Sequence, residues 1–77
     1  MSKLRQMEVL VAVVEAGSFA DAAVRLDMSA VMVGRHIQSL ETALNSKLIQ
    51  RTTRRQSVTG EGRLFYEESK KALEQIK

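Results

Sequence analysis

The stretch Ser29–Leu44, SAVMVGRHIQSLETAL, decides how the rest of the chain is read. At 100° per residue, Val33, Ile37, Leu40 and Leu44 fall within about a 60° arc, the apolar stripe of an amphipathic helix that must pack on a core. The far side carries Val31, Gly34, Arg35, Gln38 and Thr42. Such a face is unusual in water, because glycine costs about 1 kcal/mol against alanine in a helix and regular acid–base pairing is missing. A slim face with one strong cation suits the groove of a duplex. Ser29 supplies an N-cap, its hydroxyl accepting from a backbone N–H that the helix leaves unpaired.

Upstream, residues 3–16 read as a helix with Leu4, Met7, Leu10, Val11 and Val14 on one stripe. Val9, Ala12, Val13 and Ala16 lie opposite, so this helix is expected to be sandwiched between the core and another element. Gly17 sits where a left-handed residue ends a helix. Ser18 then caps a second helix, roughly Phe19 to Leu26, with Asp21 placed to return a bond to the Ser18 N–H. Ala22 and Ala23 are small enough for a close crossing, and the Asp27-Met28 link leaves room only for a tight turn. Residues 19–38 therefore make a helix-turn-helix candidate. In that motif the second helix enters the major groove while the first crosses the backbone. Val31 would meet thymine methyl groups, Gly34 would allow close approach, and Arg35 would reach a guanine edge or a phosphate.

Downstream, Leu48, Ile49 and Val58 bracket the polar run QRTTRRQS. A strand near residues 48–51, a tip over residues 52–56 and a return at Ser57-Val58 would form a small hairpin wing, although the tip has no Asn-Gly signal. Arg51, Arg54 and Arg55 on such a projection suit the phosphates and minor groove beside a site. From Thr59 the pattern is helical again, with Thr59 as N-cap, Glu61 near the positive end of the helix, and Gly60 and Gly62 weakening the first turn. Phe65, Ala72, Leu73 and Ile76 share a side. That stripe would pack on the first helix or on the same helix of a second copy, the latter matching the two-fold symmetry of palindromic sites.

Composition narrows the function. A chain of 77 residues makes one small domain, and its net charge of +3 is unevenly placed: residues 1–27 sum to −1, residues 28–60 to +4 and residues 61–77 to 0. The excess sits around Lys47, Arg51, Arg54 and Arg55, the footprint of a phosphate-binding surface. Cysteine is absent, which removes disulfides and thiolate zinc cages and is compatible with a reducing cytosol. No apolar run approaches the roughly 18 residues of a membrane span, and MSKLRQMEVL lacks a signal peptide's cleavage region. An enzyme has little to work with. The single histidine, His36, has no carboxylate nearby in sequence to orient it, and Gly60-Glu61-Gly62 is too short for a nucleotide-binding loop.

With these residues in place, the whole chain resembles the N-terminal DNA-binding domain of LysR-type transcriptional regulators. The likeness runs from Leu4-Arg5-Gln6-Met7 through Ala16-Gly17-Ser18-Phe19, Ala22-Ala23-x-x-Leu26 and Ser29. It continues with Arg35-x-Ile37-x-x-Leu40-Glu41-x-x-Leu44, Leu48, Arg51-Thr52 and Thr59-x-x-Gly62. What the resemblance implies is a mostly α fold: a winged helix-turn-helix over residues 1–59, with its wing about 47–58, and a linker and dimerisation helix starting at 60–77. Implied DNA contacts are Ser29, Ala30, Val31, Met32, Gly34, Arg35, His36 and Gln38 on the recognition helix. Ser18, Arg51, Thr52, Thr53, Arg54, Arg55 and Thr59 would serve the backbone and wing. Phe65, Ala72, Leu73 and Ile76 would join two copies on double-stranded DNA in the cytoplasm. No cofactor or metal is expected in this fragment. Family members usually continue into an effector domain that senses a small molecule, and commonly form tetramers.

The departures also carry expectations. Ala30 and Val31 stand where the family usually shows glutamine and proline, Gly34 where serine is common, and His36 where glutamine often follows the arginine. Direct hydrogen-bond readout should be thinner, with more weight on methyl contacts, Arg35 and DNA shape. Asp21 replaces a frequent basic residue, while the tip Thr53-Arg54-Arg55 is more basic than usual. The competing reading is a winged helix that binds protein, since fold does not fix function. Salt separates the two: phosphate binding weakens as a power of salt concentration, and an apolar interface does not.

Overall fold

A computed structural model describes residues 2–51 and 56–76. Thr52, Thr53, Arg54 and Arg55 of the expected wing tip, and the side chain of Ile76, lie outside the described residues. The order is α1 (Lys3–Ala16), α2 (Phe19–Leu26), α3 (Ala30–Leu44), β1 (Ile49–Arg51), β2 (Gln56–Val58) and α4 (Gly60–Ile76). The strands pair antiparallel, Ile49 with Val58, Gln50 with Ser57 and Arg51 with Gln56. This is the expected mostly helical, winged architecture.

Local chemistry sets most boundaries. Ser2, Ser18 and Ser29 each accept a bond at the side-chain oxygen from the N–H three residues on, at 3.1 Å. Each thereby satisfies a donor that a helix start leaves orphaned. Gly17 closes α1 at φ 84°, and its N–H donates to Val13 O at 3.0 Å. Asp27 and Asn45 close α2 and α3 at φ 54° and 51°, the left-handed region that short polar side chains tolerate. Thr59 starts α4 by accepting from Gly62 N–H at 2.9 Å.

The core joins Val9, Leu10 and Val13 of α1 to Phe19, Ala22 and Ala23 of α2, Val33, Ile37 and Leu40 of α3, and Leu48 and Ile49 at the hairpin base. Ala22 is fully buried, as its small size at a helix crossing requires. α1 is sandwiched as expected, but burial is unequal on its two sides: Leu4 is 43% exposed and Val11 and Val14 are half-buried, whereas Leu10, Val9 and Val13 are sealed. The reason is that α1 packs against α2, α3 and α4 together, so its burial follows three neighbours and not one face.

The inward face of α4 is also different from the expected stripe. Tyr66 and Ser69 are buried, and the Tyr66 hydroxyl donates to Glu15 Oε2 of α1 at 2.8 Å. Lys70 Nζ reaches the same oxygen at 3.3 Å. The phenol and the ammonium hold the Glu15 carboxyl below its usual range. Phe65, expected at a dimer contact, packs on this chain's own core, and Ala72 and Leu73 are half-buried. Leu64, not singled out by the periodicity, is 70% exposed.

Candidate nucleic-acid interface

The outward face of α3 is built as its helical spacing demands. Val33, Ile37 and Leu40 point inward, and Ala30, Val31, Met32, Arg35 and Gln38 are exposed, Val31 to 67%. Gly34 is half-buried on that face, and behind it lies the ring of Phe19 from the start of α2. Ser29 accepts a cap bond and still keeps its hydroxyl proton to donate outward.

Between this face and β1 runs a concave hollow of about 480 Å³ whose walls include Phe19, Gly34, Arg35, Gln38, Lys47 and Arg51. Among the described residues, three cations face it against one carboxylate, Glu41. Glu41 is turned to internal work: its Oε2 accepts from Leu48 N–H at 2.8 Å and Ile49 N–H at 3.1 Å. Lys47 stands 3.9 Å from Glu41 Oε1 with its side chain 62% exposed, so most of its charge remains available to solvent or phosphate. The Arg51 guanidinium lies over the Phe19 ring, 4.3 Å from the centroid. The hollow is therefore cationic and slim-walled, and continuous from recognition helix to hairpin.

Two expected contact residues are corrected. His36 is only 6% exposed and cannot face a groove. Its flank is covered by α1, whose Gln6 Nε2 donates to Ser39 Oγ at 3.0 Å one turn further along α3. Thr59 is half-buried, and its hydroxyl donates to Lys47 O at 2.6 Å while accepting from Gly62 N–H. Both capacities serve the fold, so no proton is left for a phosphate. Conversely, the Phe19–Arg51 stack and the Glu41 clamp escaped the sequence reading. Phe19 is the one Phe, Tyr or Trp in the first 64 residues, the local hint of the stack, and nothing near Glu41 in sequence announces the clamp.

Burying His36 has a measurable consequence. Desolvation, with the positive charges of Arg5 and the amino terminus adding, lowers its pKa from the ordinary 6.5, and Nδ1 is buried without a hydrogen-bond partner among the described residues. The folded state thus binds fewer protons than the unfolded one below about pH 6.5, so stability falls as pH drops through that window. Urea midpoints between pH 7.5 and 5.5 should show a loss of no more than about 1.4 kcal/mol per pH unit. His36→Gln should remove that slope and leave the carboxylate-driven loss at lower pH.

Gly34 offers a second check. A methyl group there would meet Phe19 Cε2 at 3.7 Å, ordinary van der Waals contact. Gly34→Ala should therefore add about 1 kcal/mol from helix propensity alone, raising the melting temperature by roughly 4–8 °C for a domain of this size. No rise, or a fall, would mean that the gap behind the helix is closed.

Comparison with known proteins bears on this geometry. The family model described as "Bacterial regulatory helix-turn-helix protein, lysR family" matches residues 4–63. The chain is 37% identical over 76 residues to the HTH-type transcriptional activator AaeR of Escherichia coli (strain K12), covering 99% of this chain and 25% of that protein. It is 38% identical over 71 residues to the HTH-type transcriptional regulator TfdT of Cupriavidus pinatubonensis, covering 92% and 31%. Among solved structures, a BenM DNA-binding domain in complex with catB site 1 DNA superimposes with a TM-score of 0.92 at 37% identity, over 97% of this chain and 84% of that one. Full-length CbnR complexed with its target DNA gives 0.92 at 36% identity, over 97% and 26%. The chain thus spans about a quarter to a third of the length of these curated relatives.

Proposed function

The chain belongs to the lysR family of bacterial regulatory helix-turn-helix proteins, and on that premise we propose that it reads double-stranded DNA as the sequence-specific module of a transcriptional regulator. The observation that carries this is the exposed, slim face of α3 set beside the arginine-bearing hairpin across a cationic hollow. Solved relatives of the same fold that hold DNA support it. In this reading α3 lies in the major groove, with Ser29, Ala30, Val31, Met32, Gly34, Arg35 and Gln38 nearest the bases. Ser18 and Arg51 serve the flanking backbone, and Thr52, Thr53, Arg54 and Arg55 are assigned to the wing from sequence alone. Residues 1–59 form the reader and 60–77 the start of a linker.

Pairing of two copies through α4 is part of the proposal. Leu64 is 70% exposed, and Ala72 and Leu73 retain partly open surface on the same helix. An inverted-repeat site would match that symmetry. A cytoplasmic setting and a small-molecule effector are proposed for the longer protein to which such a module would belong, with no effector assigned to these 77 residues.

Arg35 tests the reading, since it is the charged side chain exposed on the groove face of α3. Arg35→Ala should cost on the order of 1–3 kcal/mol of discrimination between a selected site and random duplex. Fluorescence anisotropy across a salt series reads both quantities. Wild-type binding that ignores salt would favour the protein-interaction alternative, and an unchanged site-to-random ratio in the variant would remove Arg35 from base readout.

A further inference from the structure

We propose that Phe19 is a positioning residue for DNA binding, holding the Arg51 guanidinium at the mouth of the groove without touching DNA itself. The inference rests on the DNA-binding reading above and adds a residue that works through another. Arg51 ends β1, next to the wing tip, and is exposed. Unsupported, an arginine there would sample many rotamers, and fixing it on a phosphate or base edge would cost side-chain entropy.

The ring removes much of that freedom. Phe19 is 7% exposed and belongs to the core cluster, its start fixed by the Ser18 cap on α2. Its Cε2 edge is turned toward Gly34 of α3, with room there for a methyl group at an ordinary contact distance of 3.7 Å. The Arg51 guanidinium carbon sits 4.3 Å from the ring centroid, inside the range where a cation is attracted to an aromatic face. A guanidinium stacked in this way keeps its N–H edges free, because stacking uses its face and hydrogen bonding uses its rim. One buried ring on α2 thus supports the end of β1, and the charge is delivered to the hollow already oriented.

The experiment is a double-mutant cycle on duplex affinity. Phe19→Leu keeps an apolar side chain without a π face, and Phe19→Met is run alongside so that the reading does not depend on one variant folding. Each is compared at matched folded fraction, judged by circular dichroism. Either variant should raise Kd by roughly 3–10-fold, and Phe19→Tyr, which keeps the ring, should bind within about twofold of the wild type. In an Arg51→Ala background the Phe19 changes should have no further effect. Without DNA, the Arg51 side-chain protons should be shifted upfield by the ring and lose that shift in Phe19→Leu. Multiplicative losses in the cycle, or an absent ring shift, would overturn the proposal. A wild-type chain that binds no duplex in any salt would instead strike the DNA-binding premise.

Discussion

Replacing Gly62 with alanine is expected to lower the melting temperature by roughly 10–20 °C, corresponding to about 3 kcal/mol in a domain of this size. The first turn of α4 lies against the base of the hairpin so closely that a methyl group at residue 62 would collide with the Leu48 carbonyl oxygen and sit 3.0 Å from Val58 Cγ1. The Leu48 carbonyl cannot yield. Leu48 is 1% exposed, and its carbonyl accepts the Thr59 N–H at 3.0 Å. The collision is with backbone, so α4 or the hairpin must move as a whole. At Gly60, two residues earlier, a methyl group would meet no atom of the described residues within 4 Å, and Gly60→Ala serves as the control. Thermal melts of the two variants should diverge widely; equal midpoints would show that the contact is absent in solution.

The contrast between these glycines shows where the sequence stops being readable. Both look alike as breakers of a first helical turn, and what separates them is a contact with a residue 14 positions away. Caps are different. Ser29, Gly17 and Asn45 satisfy backbone groups within four residues of themselves, so the chain spells them out locally. The three inward residues of α3 were legible for the same reason, as 3.6-residue periodicity is local. His36 was misplaced because it lies on the flank of that stripe, and whether a flank is wet depends on which helix covers it. There α1 does, through Gln6 and Ser39. On α1 itself, apolar residues on both sides announce a sandwiched helix, and its packing against α2, α3 and α4 agrees, but which of those residues are sealed depends on the three neighbours.

The readable and unreadable parts divide the interface in two. What α3 offers to a groove follows from its own periodicity, whereas where the hairpin stands relative to α3 follows from a knot around Leu48. Its N–H is held by Glu41 of α3, its carbonyl by Thr59 ahead of α4, and Gly62 lets α4 close over it. Arg51 lies three residues beyond, so the knot and the Phe19 ring together set the distance between the two cationic edges of the hollow. Glu41, Leu48 and Gly62, which build this spacing together with Thr59, are outside the contact set that sequence alone suggests, and they are the ones whose loss should cost most stability.

Glu41→Ala is accordingly expected to cost about 3 kcal/mol, as much as the loss at Gly62 but for the opposite reason: an acceptor is removed where none can be replaced. The carboxylate takes two backbone N–H donors, Leu48 at 2.8 Å and Ile49 at 3.1 Å, and those residues are 1% and 2% exposed. Charge-assisted bonds of this length contribute about 1.5–3 kcal/mol each, and a buried donor left unpaired costs about 1–3 kcal/mol, terms that overlap and do not simply add. The pair with Lys47, 3.9 Å long and largely in solvent, contributes little beside them. Glu41→Gln keeps one carbonyl oxygen in place and should lose only about 1 kcal/mol. Urea denaturation ranks the two variants, and amide exchange at Leu48 and Ile49 locates the effect, with protection falling there before it falls at Leu10 or Leu40. If Lys47→Ala lost as much stability as Glu41→Ala, the exposed ion pair and not the backbone clamp would be what holds the hairpin against the recognition helix.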